Sequence, residues 1–569
     1  MGRMVRDKRI ILLAGICVAV LGTIIGVLLY RKFAPSKEHM ELTKYFQMDK
    51  NGVKLILGDE ISEADVLYQD KQVYVDIDTV KGRLNKRFYW DANENVLLYT
   101  TPNAVISAEP GSKDCFKNNS RDSKEYEIVR VNGEKVYIAL DYVKEYTALE
   151  YKVYNKPTRV VISNEYGVEK DYSKTDSDCA LRYKPNIKSE ILADLEEEDV
   201  LRILEKENKE TGFCKVMDKS GIIGYVRAKD LDKVYQEAKT TDFKEEKYTH
   251  ILNKNKVNLV WHQVTNQTAN GGLLTLLSNT KGVNVISPTW FGTSDNNGNI
   301  DSLASDTYVT QAHQQGVEVW ALCNDFSPNM KIGKVLGYTS RRQKLAKNLI
   351  AEAIRYSLDG INIDFENVKK ESGEDFIQFI RELGIMCRNN GIVLSIDNYP
   401  VREYNQYYNR EEQAEVADYV ITMAYDEYYA GSEEAGPVSS ITYVKDSTEK
   451  VLEQVPAEQA IIALPFYSRL WKEKTGNGKV DLSSEACSMG YAQDILQDSR
   501  TEAIWDDVTG MNYLEYTSGK VLHKMWIEDI NSLQVKMEEV AKHETAGVAF
   551  WKLGLENRNV WDMIWKYNK

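Results

Sequence analysis

The chain has 569 residues, more than one hydrophobic core usually holds, and its length predicts about three or four domains. The formal net charge of -14 and the isoelectric point near 5.2 argue against a nucleic-acid partner. Six histidines and seven singly spaced cysteines show neither a CxxC pair nor zinc spacing, so we expect no metal site and no cofactor.

Residues 10–30 are an unbroken run of apolar and small side chains, about the length that crosses a bilayer. Basic residues flank the run on both sides, and no small-x-small cleavage site follows it. We therefore expect a cytoplasmic tail at residues 1–9, an uncleaved single-pass anchor at 10–30 and a stalk at 31–51. The rest of the chain would lie outside the cell, at the cell membrane. An inward-facing membrane protein is the alternative.

Residues 52–170 contain two related halves. The segment at 73–77 recurs at 136–140, and the segment at 97–99 recurs at 160–162. Each half predicts strand, short helix, strand, strand. This duplicated α+β unit resembles the small domain at the start of copper amine oxidases and on many bacterial surface proteins. The region contains no histidine, so the resemblance implies no copper role, and we expect a spacer or interaction module.

Residues 176–234 read as several short strands separated by turn residues, as in a small β-barrel. Their order resembles a bacterial SH3 domain, with Ala-Leu-Arg at 180–182 and Gly-Tyr-Val at 224–226 at its ends. Phe213 stands where that family usually has a tryptophan. The resemblance implies binding of cell-wall peptides, and a spacer is the alternative. Residues 235–247, rich in Lys, Glu and Thr, are the predicted linker.

From residue 248 to 569, short apolar runs alternate with amphipathic segments eight times, which predicts an α/β fold of the TIM (β/α)8 barrel type. An insertion of about fifty residues between strands seven and eight should add a small α+β wall with two strands. Active sites of such barrels lie at the carboxyl ends of the strands. The predicted strands are 257–264, 283–288, 317–323, 360–366, 392–397, 419–425, 460–465 and 547–551.

The fourth predicted strand carries several polar residues. The period of two of a strand puts Asn362, Asp364 and Glu366 on the face towards the barrel interior, and the apolar residues between them on the face towards the helices. Neighbouring carboxylates in a dry interior cannot all ionise freely, so the pKa of one should rise. A raised carboxyl pKa is what a general acid needs at neutral pH.

The run D-G-I-N-I-D-F-E at 359–366 resembles the signature D-G-x-D-x-D-x-E of glycoside hydrolase family 18, which includes chitinases and N-acetylglucosaminidases. The resemblance implies that Glu366 is the proton donor and that Asp364 holds the acetamido group of the sugar. Asp359 and Gly360 would have structural roles. In this family the N-acetyl carbonyl of the substrate attacks the anomeric carbon, so the configuration is retained.

Two further strand ends resemble motifs of the same family. Met-Ala-Tyr-Asp at 423–426 resembles M-x-Y-D, which implies that Tyr425 hydrogen-bonds the acetamido oxygen and that Asp426 binds the sugar. Strand eight ends in Phe-Trp-Lys-Leu-Gly, where Trp551 would be an aromatic floor for a pyranose ring. Packing in the core is the alternative for Tyr425 and Trp551.

Asn362 stands where the family usually has an aspartate that shares a proton with the neighbour corresponding to Asp364. An amide hydrogen-bonds but cannot take up that charge. One fewer anion should lower the repulsion that raises the pKa of Glu366, so we expect the pH optimum to change and activity to remain. We count Asn362 among the substrate-binding candidates.

Weaker candidates are polar or aromatic residues near other strand ends and at the base of the predicted wall. A structural role is the alternative for each of them. They are Trp290, Asn324, Asp325, Asn398, Tyr399, Trp526, Glu528 and Asp529.

The N-I-D-F-E-N form of the motif, together with Gly-Pro-Val-Ser-Ser at 436–440, resembles the family branch with bacterial spore-cortex and cell-wall N-acetylglucosaminidases. The resemblance favours peptidoglycan over chitin. The sequence thus predicts a membrane-anchored extracellular hydrolase that cleaves β-1,4 bonds after N-acetylglucosamine in peptidoglycan or a chitin-like polymer. The alternatives are a non-catalytic glycan-binding module and a cell-wall scaffold.

Overall fold

The computed structural model describes residues 2–49, 52–118, 120–476 and 479–568. Residues 1 and 569, and residues 50–51 of the predicted stalk, lie outside the described residues. The chain divides into two compact units. The first comprises Met1–Phe88, Ala108–Cys115 and Arg121–Glu245, and the second comprises Tyr89–Ser107, Phe116–Ser120 and Glu246–Lys569.

The first unit begins with the long helix Gly2–Phe33. Its segment Ile11–Phe33 is the one helix among the described residues that is long and apolar enough to cross a membrane. The remaining helices of this unit are short: Leu42–Tyr45, Ile77–Thr79, Val80–Leu84, Leu140–Lys144 and Ala228–Asp230.

The segments predicted as repeats are strands in the structure. Gln72–Asp76 pairs antiparallel with Lys135–Ala139, and Lys54–Leu57 pairs parallel with Arg159–Ser163. Each central pair carries one more strand at either side, so that two four-stranded sheets form. The outer strands are Glu60–Ser62, Val66–Gln69, Val129–Asn132 and Glu150–Tyr154.

A seven-stranded sheet follows. In spatial order its strands are Ile191–Leu195, Cys179–Arg182, Ile223–Arg227, Phe213–Met217, Val200–Asn208, Glu169–Lys174 and Tyr235–Ala238. The last two strands pair antiparallel, and both lie outside the predicted range 176–234. The first four residues of the predicted linker are therefore a strand of this sheet.

The second unit contains a closed parallel barrel of eight strands, as the alternation of apolar runs predicts. Closure is made by the pairing of β2 with β3, while β1 pairs with both β2 and β8. The strands are β1 Val257–His262, β2 Val285–Pro288, β3 Glu318–Asn324, β4 Gly360–Asp364, β5 Val393–Asn398, β6 Tyr419–Met423, β7 Ala460–Pro465 and β8 Gly547–Trp551.

Helices connect the barrel strands on the outside. Several begin at a serine or aspartate whose side chain accepts a backbone N–H of the first turn, as Ser440 and Asp529 do. The α-helices are Leu273–Leu277, Asp306–Gln314, Ile332–Leu336, Thr339–Arg355, Gly373–Asn389, Arg410–Val416, Ile441–Leu452, Ile530–Ala541 and Val560–Tyr567. Short 3-10 helices lie at Gln267–Gly272, Lys370–Ser372, Glu403–Tyr408 and Ala457–Gln459, and a hairpin of Phe291–Thr293 and Ile300–Ser302 follows β2.

The barrel strands separate two hydrophobic layers. Ile361, Ile363 and Phe365 lie in the outer layer with the helices, as the period of two predicts. The inner layer contains residues such as Trp261 and Trp320. A Cβ on Gly360 would lie 2.6 Å from the Trp320 ring, so the glycine makes room for this inner tryptophan.

The insertion between β7 and β8 is larger than predicted. It forms a five-stranded antiparallel sheet where two strands were expected. One of the missed strands, Ile504–Asp506, is only three residues long and has no buried side chain, so no alternation of buried positions marks it. The strands are Tyr467–Gly476, Lys479–Ser488, Ile504–Asp506, Met511–Ser518 and Val521–Ile527, with the helix Met489–Ser499 between the second and third.

The segment Tyr89–Ser107 precedes the predicted barrel domain by some 140 positions, yet it belongs to the same compact unit. The helix Thr339–Arg355 receives no side-chain cap from its own N-cap residue; instead the Asp91 carboxylate accepts the Thr339 N–H at 2.6 Å. Tyr89 donates to Asp375 at 2.6 Å. The predicted boundary at residue 248 thus separates segments that the structure groups together. The segment contributes to a five-stranded sheet, whose strands are Phe88–Asp91, Val96–Thr100, Val105–Ala108, Asp114–Lys117 and Ser120–Ser123.

Candidate active site

The carboxyl end of β4 brings Asp364 and Glu366 to the mouth of the barrel. Asp364 is the last residue of the strand and is only 7% exposed, while Glu366 follows two positions later and is half-buried. The turn after β4 is held by Asp325, whose Oδ1 accepts the Glu366 N–H at 3.1 Å and whose Oδ2 accepts the Asn367 N–H at 2.9 Å. Asp325 therefore fixes the backbone that carries the predicted acid.

Glu366 has the environment of a general acid. Burial is the main cause that raises the pKa of its carboxyl, and the nearby carboxylates of Asp325 and Asp426 add to the effect. The hydroxyl of Tyr399, which follows β5, donates a hydrogen bond to Glu366 Oε2 and acts in the opposite direction. The carboxyl is thus kept in a protonated form to higher pH than an exposed glutamate.

Asp364 is a buried acid with an unused hydrogen-bonding position. Its Oδ1 has no hydrogen-bond partner among the described residues. Burial raises its pKa well above the ordinary value, and the carboxyls of Asp397, Glu366 and Asp325 raise it further. A buried polar atom without a partner is costly, so a ligand that offers an N–H or accepts a proton there gains binding energy.

Asn362 is completely buried in the barrel interior, and four contacts use both acceptor and both donor positions of its side-chain amide. Its Oδ1 accepts from Trp261 Nε1 at 2.9 Å and from Ser287 Oγ at 3.1 Å. Its Nδ2 donates to Ser395 Oγ at 3.1 Å and to Asp397 Oδ1 at 2.9 Å. The amide faces other strands and is 0% exposed, so its observed contacts are with the protein, and a substrate-binding role for Asn362 stays a prediction.

Tyr425, Asp426 and Trp551 lie at the ends of β6 and β8. Tyr425 and Trp551 pack partly buried against the inner layer of the barrel. Burial raises the pKa of Tyr425 well above the ordinary value, and Asp397 and Asp364 contribute, so its hydroxyl stays a hydrogen-bond donor. The side chain of Asp426 accepts a hydrogen bond from the hydroxyl of Tyr467, two positions beyond β7.

The weaker candidates differ in their surroundings. Trp290 is 2% exposed, and its indole N–H donates to Asn270 at 2.8 Å in the outer layer, which leaves no face open to a sugar. Asn324 is half-buried at the end of β3, where its Oδ1 accepts the Phe326 N–H at 3.2 Å. Trp526 is half-buried in the insertion sheet, with its ring 4.8 Å from the ring of Tyr513.

Three other predicted residues have structural partners. Glu528 is fully buried and paired with Lys536, and the half-buried Asp529 caps the helix Ile530–Ala541. Asp359 accepts from the Val319 N–H at 2.8 Å and contacts His313 at 2.8 Å, which ties the start of β4 to β3 and its preceding helix.

The sequence did not single out Asp397 or Tyr467. Asp397 lies in β5 and was treated only as the end of a strand, although a carboxylate within a buried run is a signal of its own. Tyr467 follows the end of β7, where every aromatic residue merits inspection. Among the described residues, no group of three or more His, Cys, Asp or Glu side chains is arranged to hold a metal ion.

Residues 327–556 match the family model for glycosyl hydrolases family 18. The matched residues lie within the unit that contains the barrel and make up less than half of the chain. The match contains the ends of β4, β6 and β8 that carry Glu366, Tyr425 and Trp551. It covers the barrel from just beyond β3 and leaves the first unit unassigned.

Similar proteins support the same fold and enzyme class. The uncharacterized glycosylase YvbX of Bacillus subtilis (strain 168) is 23% identical over 289 residues, which are 48% of this chain and 82% of YvbX. The cortical fragment-lytic enzyme of the same organism is 25% identical over 233 residues, 39% of this chain and 53% of that enzyme. The crystal structure of the Bacillus cereus spore cortex-lytic enzyme SleL is similar in fold, with a TM-score of 0.50, 19% identity, and coverage of 59% of this chain and 77% of SleL.

Proposed function

We propose that the barrel hydrolyses β-1,4 bonds after N-acetylglucosamine in peptidoglycan, or in a chitin-like polymer, by substrate-assisted catalysis with retention of configuration. The observation that carries this proposal is the convergence of Glu366, Asp364 and Tyr425 at one end of the barrel. This mechanism needs three groups: a carboxyl with a raised pKa, a buried carboxylate oxygen without a partner, and a phenolic hydrogen-bond donor. Glu366, Asp364 and Tyr425 supply them in that order.

In the proposed reaction, Glu366 gives its proton to the glycosidic oxygen as that bond breaks. The acetamido oxygen of the sugar forms the new bond to the anomeric carbon, and Tyr425 donates a hydrogen bond to this group. Asp364 Oδ1 accepts the acetamido N–H and stabilises the positive charge that develops on the ring so formed. Water then attacks the anomeric carbon and opens that ring. The Glu366 carboxylate takes a proton from this water and is thereby restored to its acid form.

Trp551 supports the sugar in this scheme. Its indole lies at the end of β8, with the ring centroid 6.0 Å from that of Trp261. An indole that packs against a second ring is a rigid surface for the apolar face of a pyranose. Asp426, held by Tyr467, would bind a sugar hydroxyl beside it.

The experiment compares wild type with Glu366→Gln, both as the full chain purified in detergent, on purified peptidoglycan and on chitin oligomers. Mass spectrometry identifies the products. Glu411→Gln is the matched control, because Glu411 is exposed on the outer helix Arg410–Val416. Products ending in reducing N-acetylglucosamine from wild type and the control, but not from Glu366→Gln, support the proposal. Binding of wild type without products would refute it in favour of a glycan-binding module.

The place of action is also part of the proposal. The segment Ile11–Phe33 would anchor the protein in the cell membrane by a single span, with the rest of the first unit after Phe33 and the whole second unit outside. Protease added to intact cells should then degrade both units while sparing the span. Protection of both units until the membrane is opened would contradict the orientation.

The first unit would contribute contacts with cell-wall peptides. It contains a cavity of about 380 Å³ whose lining carries charges of both signs, among them Lys170, Arg202, Glu150 and Glu237. Peptides with free amino and carboxyl groups match such a lining. The duplicated unit at residues 52–170 would line one side of this cavity and would also serve as a spacer. Equal retention on peptidoglycan with and without its peptides would contradict this role.

A further inference from the structure

Asp397 on β5 is a buried carboxylate for which neither the family signature nor the proposed reaction gives a role. It is 3% exposed and accepts the Asn362 Nδ2–H at 2.9 Å. The register of β4 and β5 pairs Asn362 with Ser395 and Ile363 with Ile396. Continued by one residue, this register sets Asp364 opposite Asp397 on the adjoining strand, where neighbouring strands are about 4.8 Å apart.

The direction of the Asn362 amide follows from its partners. Trp261 Nε1 can only donate, so the atom that it contacts must be the amide oxygen. The amide nitrogen therefore points to Ser395 and Asp397. A donor that contacts Asp397 favours the ionised form of that carboxyl, while Asp364 Oδ1 has no donor among the described residues.

The groups around Asp364 and Asp397 disfavour ionisation of both carboxyls at the same time. Asp364 and Glu366 face the site from β4 and the turn after it, Asp325 from the end of β3, and Tyr425 from the end of β6. None of the described residues forms an ion pair with Asp364 or Asp397. Burial raises the pKa of both, and each is raised further by a neighbouring carboxyl.

We infer that Asp397 and Asp364 share one proton and that Asp397 takes this proton when Asp364 binds the acetamido group. This inference rests on the proposed function for its catalytic consequence. Before substrate binds, the proton is on Asp364 and the anion is Asp397, beside the Asn362 amide. On binding, the proton passes from the Asp364 carboxyl to the Asp397 carboxylate. Asp364 becomes the anion that accepts the acetamido N–H, and the pair keeps a net charge of minus one.

Asp397 is thus a positioning residue that acts through Asp364. An aspartate at position 362 would supply a second acid from β4 itself; here Asp397 supplies it from the neighbouring strand β5. A purely structural role is the competing explanation, in which Asp397 only accepts the Asn362 N–H. The two explanations differ for Asp397→Asn, because the asparagine oxygen still accepts that N–H but the amide cannot take up a proton.

The test uses the full chain in detergent and measures kcat against pH for wild type, Asp397→Asn and the exchange variant Asn362→Asp/Asp397→Asn. Asp306→Asn is the control, since Asp306 is exposed in the first turn of an outer helix. We expect Asp397→Asn to lower kcat by about a hundredfold, the lower end of what a proton-transferring group contributes. Its acidic limb should move to higher pH, since a lone Asp364 must lose its proton to solvent.

The exchange variant keeps one Asp and one Asn in contact and returns a second acid next to Asp364, so we expect its kcat to lie within about tenfold of wild type. It also carries the test alone if Asp397→Asn fails to fold. A wild-type kcat and pH profile for Asp397→Asn would overturn the inference. So would a folded exchange variant whose kcat is about a hundredfold below that of wild type.

A measurement without glycan separates this inference from the proposed function. Infrared titration of the carboxylic C=O bands should show two linked steps for the pair in wild type and one intermediate step in Asp397→Asn. If wild type shows those two steps but releases no product, the shared proton of Asp364 and Asp397 is supported and the proposed hydrolase function is refuted. If Asp397→Asn differs from wild type only by the loss of one independent aspartate titration step, the shared proton of Asp364 and Asp397 is refuted.

Discussion

The hydroxyl of Tyr399 lowers the pKa of Glu366, and Tyr399→Phe removes that hydroxyl while keeping the ring. The hydroxyl donates to Glu366 Oε2, and a hydrogen bond given to a carboxylate favours its charged form. Burial is the larger influence and raises the pKa of Glu366, while Tyr399 lowers it. In Tyr399→Phe the lowering influence is lost, so the pKa of Glu366 rises further.

A hydrogen bond to a charged group contributes about 1.5–3 kcal/mol. Tyr399 is 40% exposed, so water partly replaces its hydroxyl, and we use about 1.4 kcal/mol, just below that range. This energy is a factor of about ten in the ratio of acid to carboxylate at a given pH. A general acid works only while protonated, and activity falls as pH rises through its pKa. The basic limb of the kcat profile should therefore move to higher pH.

The assay is kcat against pH on the glycan that wild type cleaves, from acidic to alkaline buffer. Tyr404→Phe is the matched control, because Tyr404 lies five positions further along the chain and is 77% exposed. Its profile should follow that of wild type. A basic limb that stays in place in Tyr399→Phe, or that moves to lower pH, would refute the role given to the hydroxyl.

Two buried ion pairs predict losses of stability. Arg342 and Glu382 are both 0% exposed and 3.3 Å apart, so Arg342→Met should lower the free energy of unfolding by about 3–5 kcal/mol in chemical denaturation. Lys536→Met leaves Glu528 buried without its partner, and the pKa of this carboxyl, already raised by burial, rises further. Because an acid with a raised folded pKa destabilises the fold as pH rises, this variant should lose less stability below pH 4.5, the ordinary value for glutamate, than at neutral pH. An equal loss at both pH values would contradict that account.

The barrel and much of its mouth could be predicted because their signals are local. Each β strand is an apolar run between amphipathic segments, and the period of two fixes which side chains of 359–366 face inward. The positions of Ile361 and Ile363 in the outer layer follow from that period alone. Tyr425 and Trp551 were singled out by the resemblance of their segments to family motifs, and both lie at strand ends.

Other features depend on contacts between residues far apart in sequence, and no local pattern reports them. Asp91 caps a helix that begins 248 positions later, so the grouping of Tyr89–Ser107 with the barrel could not be read from a composition change at residue 248. The burial of Trp290 is similar, since its partner Asn270 lies in a different connection. A strand-end aromatic residue predicts exposure only if no neighbouring loop covers it.

Asn362 and Asp397 show how a local departure from a motif and a distant residue form one feature. Taken alone, an asparagine in place of an aspartate removes an acid from the barrel and predicts weaker repulsion around Glu366. The structure places a carboxylate from β5 against that amide, so Asp364 still has a buried acid beside it. The pKa of Glu366 is raised in spite of Asn362, chiefly by burial. The effect of a substituted motif residue must therefore be judged from the strands on both sides, since in a closed barrel either neighbour can supply the missing group.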